Sequence, residues 1–353
     1  MTTFGNPAES LLGMTLEGDW KVIEIIKKKP EDTGGHFSVC YIVEKNKKKA
    51  FLKALDLTDA LQQSDFVTAI NQMTTAFIFE RDLLYKCKEN HLSKIVTPLA
   101  HGQVSFPGQP PFFNVYYIIF EMADANLRSQ IAKMRIFDLA WILRSLHHTA
   151  VALEQLHNSG IAHQDLKPSN VLIFNKESKV GDLGRSSDKN LPSINDKFIV
   201  PGDRTYAPFE LFYGINTNND FQFRYASDLF LLGSLIFFYF LHVNLQEIIF
   251  IEMEKHDILK NLTTSDFYAD LPYFQSGFTY ALDILDKGIS KYSTELSIEI
   301  IPLVKMLCEI DPEKRGHNVN RCKNINQYSL ERFISSFDLL AKKAEYRFYE
   351  HDK

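Results

Sequence analysis

His163-Gln164-Asp165-Leu166-Lys167-Pro168-Ser169-Asn170 places a carboxylate, an amine and a carboxamide in one short polar stretch. Phosphoryl transfer asks little covalent chemistry of a protein. It asks for a positioned nucleophile and for neutralised phosphate charge. Asp165 can accept the proton of an attacking hydroxyl. Lys167 can balance charge on a transferring phosphoryl group. Asn170 offers a hard oxygen ligand for Mg²⁺.

The stretch lies just beyond a helix signal. Leu139, Ile142, Leu143, Leu146, Ala150, Leu153 and Leu156 share one helical stripe, and Gly160 marks its end. Downstream, Val171–Phe174 and Ser178–Gly181 read as a short hairpin. It delivers Lys179-Val180-Gly181-Asp182-Leu183-Gly184, where a carboxylate after a strand and before glycine suits a second magnesium ligand.

Upstream, the pattern is β. Trp20–Ile26, Phe37–Val43 and Ala50–Leu55 predict a three-stranded antiparallel meander with its last turn at Glu44–Lys49. Phe66, Ile70, Met73, Phe77 and Leu84 predict a helix over 66–89. Two further strands are expected at Ile95–Leu99 and Val115–Phe120. From about residue 126 onward the chain reads as mainly helical. Leu330, Phe333, Phe337 and Leu340 mark an amphipathic helix that packs on the helical region.

Composition narrows the classes. A net charge of -5 argues against a general polyanion binder. Lys27–Lys29 and Lys47–Lys49 read as solvated turns. The four cysteines have no CxxC spacing, which fits a reducing cytosol and neither a metal site nor a disulfide framework. Met1–Ser10 lacks the pattern of a signal peptide. The apolar run Leu229–Leu241 falls short of the roughly 20 residues of a membrane span and reads as a core helix.

The catalytic stretch and the Asp182 segment together resemble the eukaryotic-like serine/threonine protein kinases, whose loop reads H-R-D-L-x-x-x-N and whose metal motif is D-F-G. The resemblance covers about residues 18–320. It implies an α+β bilobal protein-kinase fold, with a small β-rich N-lobe carrying one main helix and a larger α-helical C-lobe. The expected organisation is an N-terminal extension over 1–15, N-lobe and hinge over 16–123, C-lobe over 124–325 and a helical tail over 326–353.

The family's roles fall on matching positions. Lys53 corresponds to the strand lysine on the α- and β-phosphates of ATP, and Glu80, flanked by the apolar face and preferred over Glu89 in the polar helix end, to its partner glutamate. The resemblance implies that Asp165 and Lys167 are catalytic and that Asn170 and Asp182 hold Mg²⁺ or Mn²⁺. The phosphate-covering loop G-x-G-x-x-G-x-V departs from pattern. Thr33 stands at its first glycine, with Gly34 beside it. Gly35 stands at the second, Phe37 at the aromatic tip, Ser38 at the third glycine and Cys40 at the valine. Phe120 backs the adenine, and the backbone of Glu121, Met122 and Ala123 forms the hinge. His163 and Asp228 support the loop, and Glu210 in Pro208-Phe209-Glu210 pairs with Arg315.

Two departures bear on regulation. Gln164 replaces the arginine that normally contacts an activation-loop phosphate, which implies activity without such a phosphate. Asp203 replaces the threonine expected three positions before Tyr206, which puts its role in substrate positioning in question. Ser186, Ser187, Ser193 and Thr205 are candidate autophosphorylation sites. The expected function is transfer of the γ-phosphoryl of MgATP to serine and threonine hydroxyls of proteins, including the chain itself, by a cytoplasmic enzyme without nucleic-acid or membrane partners. Lys167 favours serine or threonine over tyrosine. The rival readings are a pseudokinase scaffold and a small-molecule kinase of the same fold.

Overall fold

Period-2 alternation of apolar residues between Trp20 and Leu55 builds the sheet at the start of the chain. The computed structural model describes residues 6–27, 38–106, 114–215, 221–263, 265–323 and 325–351, with side chains through Tyr346. It divides into two compact units. One runs to Ala125 and includes Gly181–Gly184, and the other holds Asn126–Val180 and Arg185 onward.

The first unit is a six-stranded antiparallel sheet in the order β1-β2-β3-β4-β6-β5. The strands are β1 (Thr15–Leu16), β2 (Trp20–Ile26), β3 (Ser38–Lys45), β4 (Lys48–Leu55), β5 (Pro98–Val104) and β6 (Val115–Glu121). The β3–β4 turn is tighter than the predicted Glu44–Lys49. Lys45 still pairs with Lys48, and Asn46 and Lys47 take positive φ of 51° and 63°. That two-residue geometry matches the right-handed twist of the strands. Ala50, Leu52 and Ala54 of β4 face a core with Tyr41, Val43, Tyr117 and Ile119. Lys53 therefore points to the opposite face of the sheet.

Residues 6–15, within the stretch set apart by sequence as an extension, pack against this unit's sheet. Ala8 and Leu11 are buried in the sheet's core, and Tyr41 Oη donates to the Ala8 carbonyl at 2.6 Å. The strand expected at Ile95–Leu99 begins instead at Pro98 and runs to Val104. Ile95 makes only an isolated β-bridge, Val96 lies outside any strand and both are buried; a buried loop and a buried strand show the same apolar pair.

Helix α1 (Phe66–Glu89) starts at Asp65, whose side chain accepts from the Thr68 N–H at 3.1 Å. Lys86 and Lys88 in its last turn complement the helix dipole. Phe77, Glu80, Leu83, Leu84 and Cys87 form its buried stripe. Glu80 is the one charged member of that stripe.

The second unit is mainly helical. Helix α2 (Leu139–Asn158) is capped by Asp138, and the chain leaves it through Gly160 at φ 77°. The hairpin pairs Val171–Phe174 with Glu177–Val180. Helix α3 (Gln222–Leu241) is long and apolar enough to cross a membrane, yet 94% of its apolar window is buried inside the fold. A core helix buried all round must be apolar all round. Gly233 lets α3 approach closely, since a Cβ there would collide with Cys308 Sγ. Helices α4 (Phe267–Ser290) and α5 (Thr294–Leu307) follow.

Helix α6 (Glu331–His351) docks on α2. Leu330, Phe333 and Phe337 are fully buried. Arg144 of α2 meets Asp338 at 2.7 Å and Glu345 at 2.9 Å, and Glu154 accepts from the Leu330 N–H at 2.7 Å.

Glu210 and Arg315 form a buried bidentate pair at 2.6 and 3.1 Å. The other guanidinium donors meet the carbonyls of Glu309, Ala226 and Ile310. Arg315 is 0% exposed, so every N–H must be met inside the protein. Glu210→Ala leaves that cation without its countercharge. It should destabilise the protein by about 3–5 kcal/mol, read by chemical denaturation. A loss under about 1 kcal/mol, the size of an exposed pair, would contradict the assignment.

Candidate functional site

In the first unit three charged groups converge. Lys53 sits opposite Cys40 on β3 and Ile118 on β6. Its Nζ reaches Glu80 Oε1 and Oε2 at 2.9 and 3.0 Å and Asp182 Oδ1 at 3.3 Å. Strand alternation aims the lysine, and the buried stripe of α1 aims the glutamate. Burial opposes the Lys53 charge, but Asp182 and Glu80 outweigh it and hold the ammonium above its ordinary pKa. Burial pushes the Glu80 carboxyl up, and Lys53 pulls it back. Asp182 is 40% exposed at its side chain and has φ 58°, an unusual backbone for a non-glycine residue. Such strain clusters at functional sites.

Ser38 is buried at the start of β3, and Cys40 is half-buried beside Lys53. Phe120 is buried at the end of β6. Glu121 uses its carboxylate to accept from the Thr97 N–H at 2.8 Å, Met122 is exposed and Ala123 is half-buried. Gly34, Gly35 and Phe37 lie outside the described residues.

In the second unit Asp228, fully buried on α3, holds the loop. Its Oδ2 accepts from the His163 N–H at 2.8 Å, and its Oδ1 from the Gln164 N–H at 2.7 Å. Gln164 is thereby kept at φ 63°. A left-handed residue of this kind costs roughly 1–2 kcal/mol, and two charge-assisted bonds more than offset that. His157 Nε2 makes a third contact to Asp228 at 2.9 Å. No motif in the sequence marks His157, which lies in the last turn of α2.

Asp165 is buried and held by polar partners. Asn170 Nδ2 donates to the Asp165 carbonyl at 2.8 Å and to its Oδ2 at 3.2 Å. Asn170 therefore directs its amide nitrogen to Asp165, and its Oδ1, bonded by Ser169 Oγ at 3.3 Å, is the oxygen suited to a cation. Lys167 Nζ lies 3.2 Å from Asp165 Oδ2 and 3.2 Å from Asp203 Oδ2. Burial disfavours its charge, but Asp165 and Asp203 raise its pKa above the ordinary lysine value.

Asp203 is more than a missing threonine. Its backbone N–H donates to Asp165 Oδ1 at 2.7 Å while its side chain binds Lys167. Burial works against its ionisation, but Thr205 and Lys167 overcome this and hold the carboxyl below its usual range. Gly202 is required here because a Cβ would strike the Gln164 carbonyl. Of the candidate phosphorylation sites, Ser186, Ser187 and Ser193 are buried, and Thr205 is exposed with its Oγ1 bonded to Asp203 at 2.7 Å.

Among the described residues no cluster of three or more His, Cys, Asp or Glu side chains forms a metal cage. Mg²⁺ ordinarily takes one or two protein oxygens and completes its shell with phosphate and water. Asp182 in the first unit and Asn170 in the second each carry an oxygen of the kind that habit calls for.

The model of the protein kinase domain matches residues 33–327. The chain is 34% identical over 124 residues to a Wee1-like protein kinase of Arabidopsis thaliana, covering 34% of this chain and 23% of that protein. It is 35% identical over 133 residues to the mitosis inhibitor protein kinase SWE1 of Saccharomyces cerevisiae, covering 35% of this chain and 15% of that protein. Mitogen-activated protein kinase 11 of Arabidopsis thaliana is 28% identical over 131 residues, 37% of this chain and 34% of that protein. The chain thus spans a quarter or less of the length of the first two relatives.

Lys53→Met removes the countercharge from Glu80, so burial raises that carboxyl further above about 4.3. A carboxyl raised in the folded state lends stability at low pH that disappears as pH rises. The Tm deficit of Lys53→Met against wild type should therefore widen between about pH 5 and pH 8. A deficit independent of pH would mean that Glu80 is not held by Lys53.

Proposed function

We propose that the chain, which belongs to the protein kinase family, transfers the γ-phosphoryl group of MgATP to serine and threonine hydroxyls of protein substrates. The observation that carries this reading is the Asp165–Lys167–Asn170 arrangement, where one carboxylate is oriented by a backbone N–H, an ammonium and an amide.

Lys53, fixed by Glu80, would contact the α- and β-phosphates. Asp182 and Asn170 would hold Mg²⁺, which supplies charge neutralisation at the phosphates. Asp165 Oδ2 would take the proton of the acceptor hydroxyl as it attacks. Lys167 would meet the charge that builds on the transferring group, and its raised pKa keeps it cationic for that purpose. These contacts matter most in the transition state.

The acceptor class has a second reading. Lys167 is the residue that favours serine and threonine, yet Asp203 binds its ammonium. An ammonium already engaged by a carboxylate is less available to a short aliphatic hydroxyl, so tyrosine acceptors are the alternative. The name of one relative, a mitosis inhibitor protein kinase, makes mitotic proteins the first panel to test.

Labelled γ-phosphate from MgATP, followed by phosphoamino-acid analysis, tests both points. Asp165→Asn should lower kcat by about 10²–10⁴-fold, the range of a lost general base. Its ATP affinity should stay within about threefold of wild type, since the contact is not a ground-state one. Label on serine or threonine supports the first reading, and label on tyrosine alone moves the assignment to the second. Transfer undiminished in Asp165→Asn would overturn the mechanism. MgATP binding without protein labelling would favour a scaffold or a small-molecule kinase.

A further inference from the structure

Gln164 is bound into a closed set of side chains that the transfer chemistry does not use. Its Nε2 donates to Ser187 Oγ at 2.8 Å and to the Arg185 carbonyl at 3.3 Å. Its Oε1 accepts from Arg224 Nη1 at 3.2 Å. Arg224 also bonds Ser187 Oγ and meets Asp196 Oδ1 at 3.0 Å. Ser187 Oγ donates to the same Asp196 oxygen at 2.6 Å. The other oxygen, Asp196 Oδ2, accepts from the Ser193 N–H at 2.8 Å and closes a capping box on the turn Ile194–Lys197.

The members come from separate places in the chain. Gln164 precedes Asp165, Ser187 lies in a strand paired with Ile161–Ala162, Asp196 lies in the segment that leads to Gly202, and Arg224 opens α3. Arg224 is 5% exposed and Ser187 is 0% exposed. A buried guanidinium needs a countercharge. Asp196 supplies one from within the chain. A neutral amide at position 164 cannot pair with a phosphate as a guanidinium does. The hydroxyl of Ser187 is buried and already hydrogen-bonded, so it cannot receive a phosphate without breaking the set.

We propose that Asp196 and Arg224 are positioning residues: the Asp196 carboxylate acts as a built-in countercharge that fixes Ser187 and Gln164, and through them the backbone that carries Asp165. The inference rests on the kinase reading. It goes beyond that reading by assigning the ordering of the segment over 186–203 to a fixed carboxylate in place of a phosphate.

The test compares wild type, phosphatase-treated wild type, Asp196→Asn and Asp196→Glu by steady-state kinetics and by amide hydrogen exchange over 186–203. Phosphatase-treated wild type should keep its kcat. Asp196→Asn, uncharged but isosteric, should lose about 10–100-fold in kcat, the size of a misplacement near the reacting groups. KM for ATP should hold, and exchange over 186–203 should rise while exchange in α2 does not. Asp196→Glu should recover most of the rate. Wild-type kcat and exchange in Asp196→Asn would overturn the proposal, as would loss of activity on phosphatase treatment. If Asp196→Asn does not fold, Ser187→Ala takes its place, and unchanged kcat and exchange there would equally overturn it. If wild type itself transfers no phosphoryl group, the kinase reading fails, and the exchange comparison alone decides the positioning role.

Discussion

One buried carboxylate, Asp228, organises the second unit's chemistry. It sits on the most apolar helix of the chain and is wholly inaccessible to solvent. An isolated charge there would be very costly. Two consecutive backbone N–H groups, from His163 and Gln164, and the ring of His157 offset that cost. The carboxylate thereby holds Gln164 in a left-handed conformation that the chain alone would avoid. The direction of the loop follows, and with it the placement of Asp165, Lys167 and Asn170. Packing of α3 is what makes the carboxylate immovable, so the core of the unit and its chemistry share one origin.

A parallel logic governs the first unit. Sheet alternation sends Lys53 to the face opposite Leu52 and Ala54, and the buried stripe of α1 presents Glu80 to it. Asp182 joins them on a residue of strained backbone. Here two carboxylates share one ammonium. Removing Lys53 leaves the buried Glu80 without a countercharge in a place where water cannot fully compensate for it.

Much of this was legible in the sequence because it rests on local pattern. The helix over 66–89 has apolar positions at helical spacing and a capping aspartate, so its limits follow from short-range rules. The apolar run Leu229–Leu241, which the helix Gln222–Leu241 extends by two turns at its start, and the stripe Leu330, Phe333, Phe337 follow likewise. What escaped has no local signature. The strand Pro98–Val104 is Ala-, Gly- and Gln-containing, and its pairing with β6 alone defines it. Ala8 and Leu11 are buried because Tyr41 and the sheet receive them, which neighbouring residues do not announce. His157, Asp203 and Asp196 act through partners 71, 36 and 9 residues away. In the sequence Asp203 and Gln164 stand as losses from a pattern. Each proves to be a member of a different hydrogen-bonded set.

The measurement closest to the central claim is the kinetics of Asp228→Asn, with kcat and MgATP affinity read on the same preparation. Asparagine keeps the shape but replaces an ionised acceptor with a neutral one. If a buried charge aligns the loop for transfer, kcat should fall by about 10²-fold while MgATP binding stays near wild type. Wild-type kcat in Asp228→Asn, with the protein folded, would contradict the account.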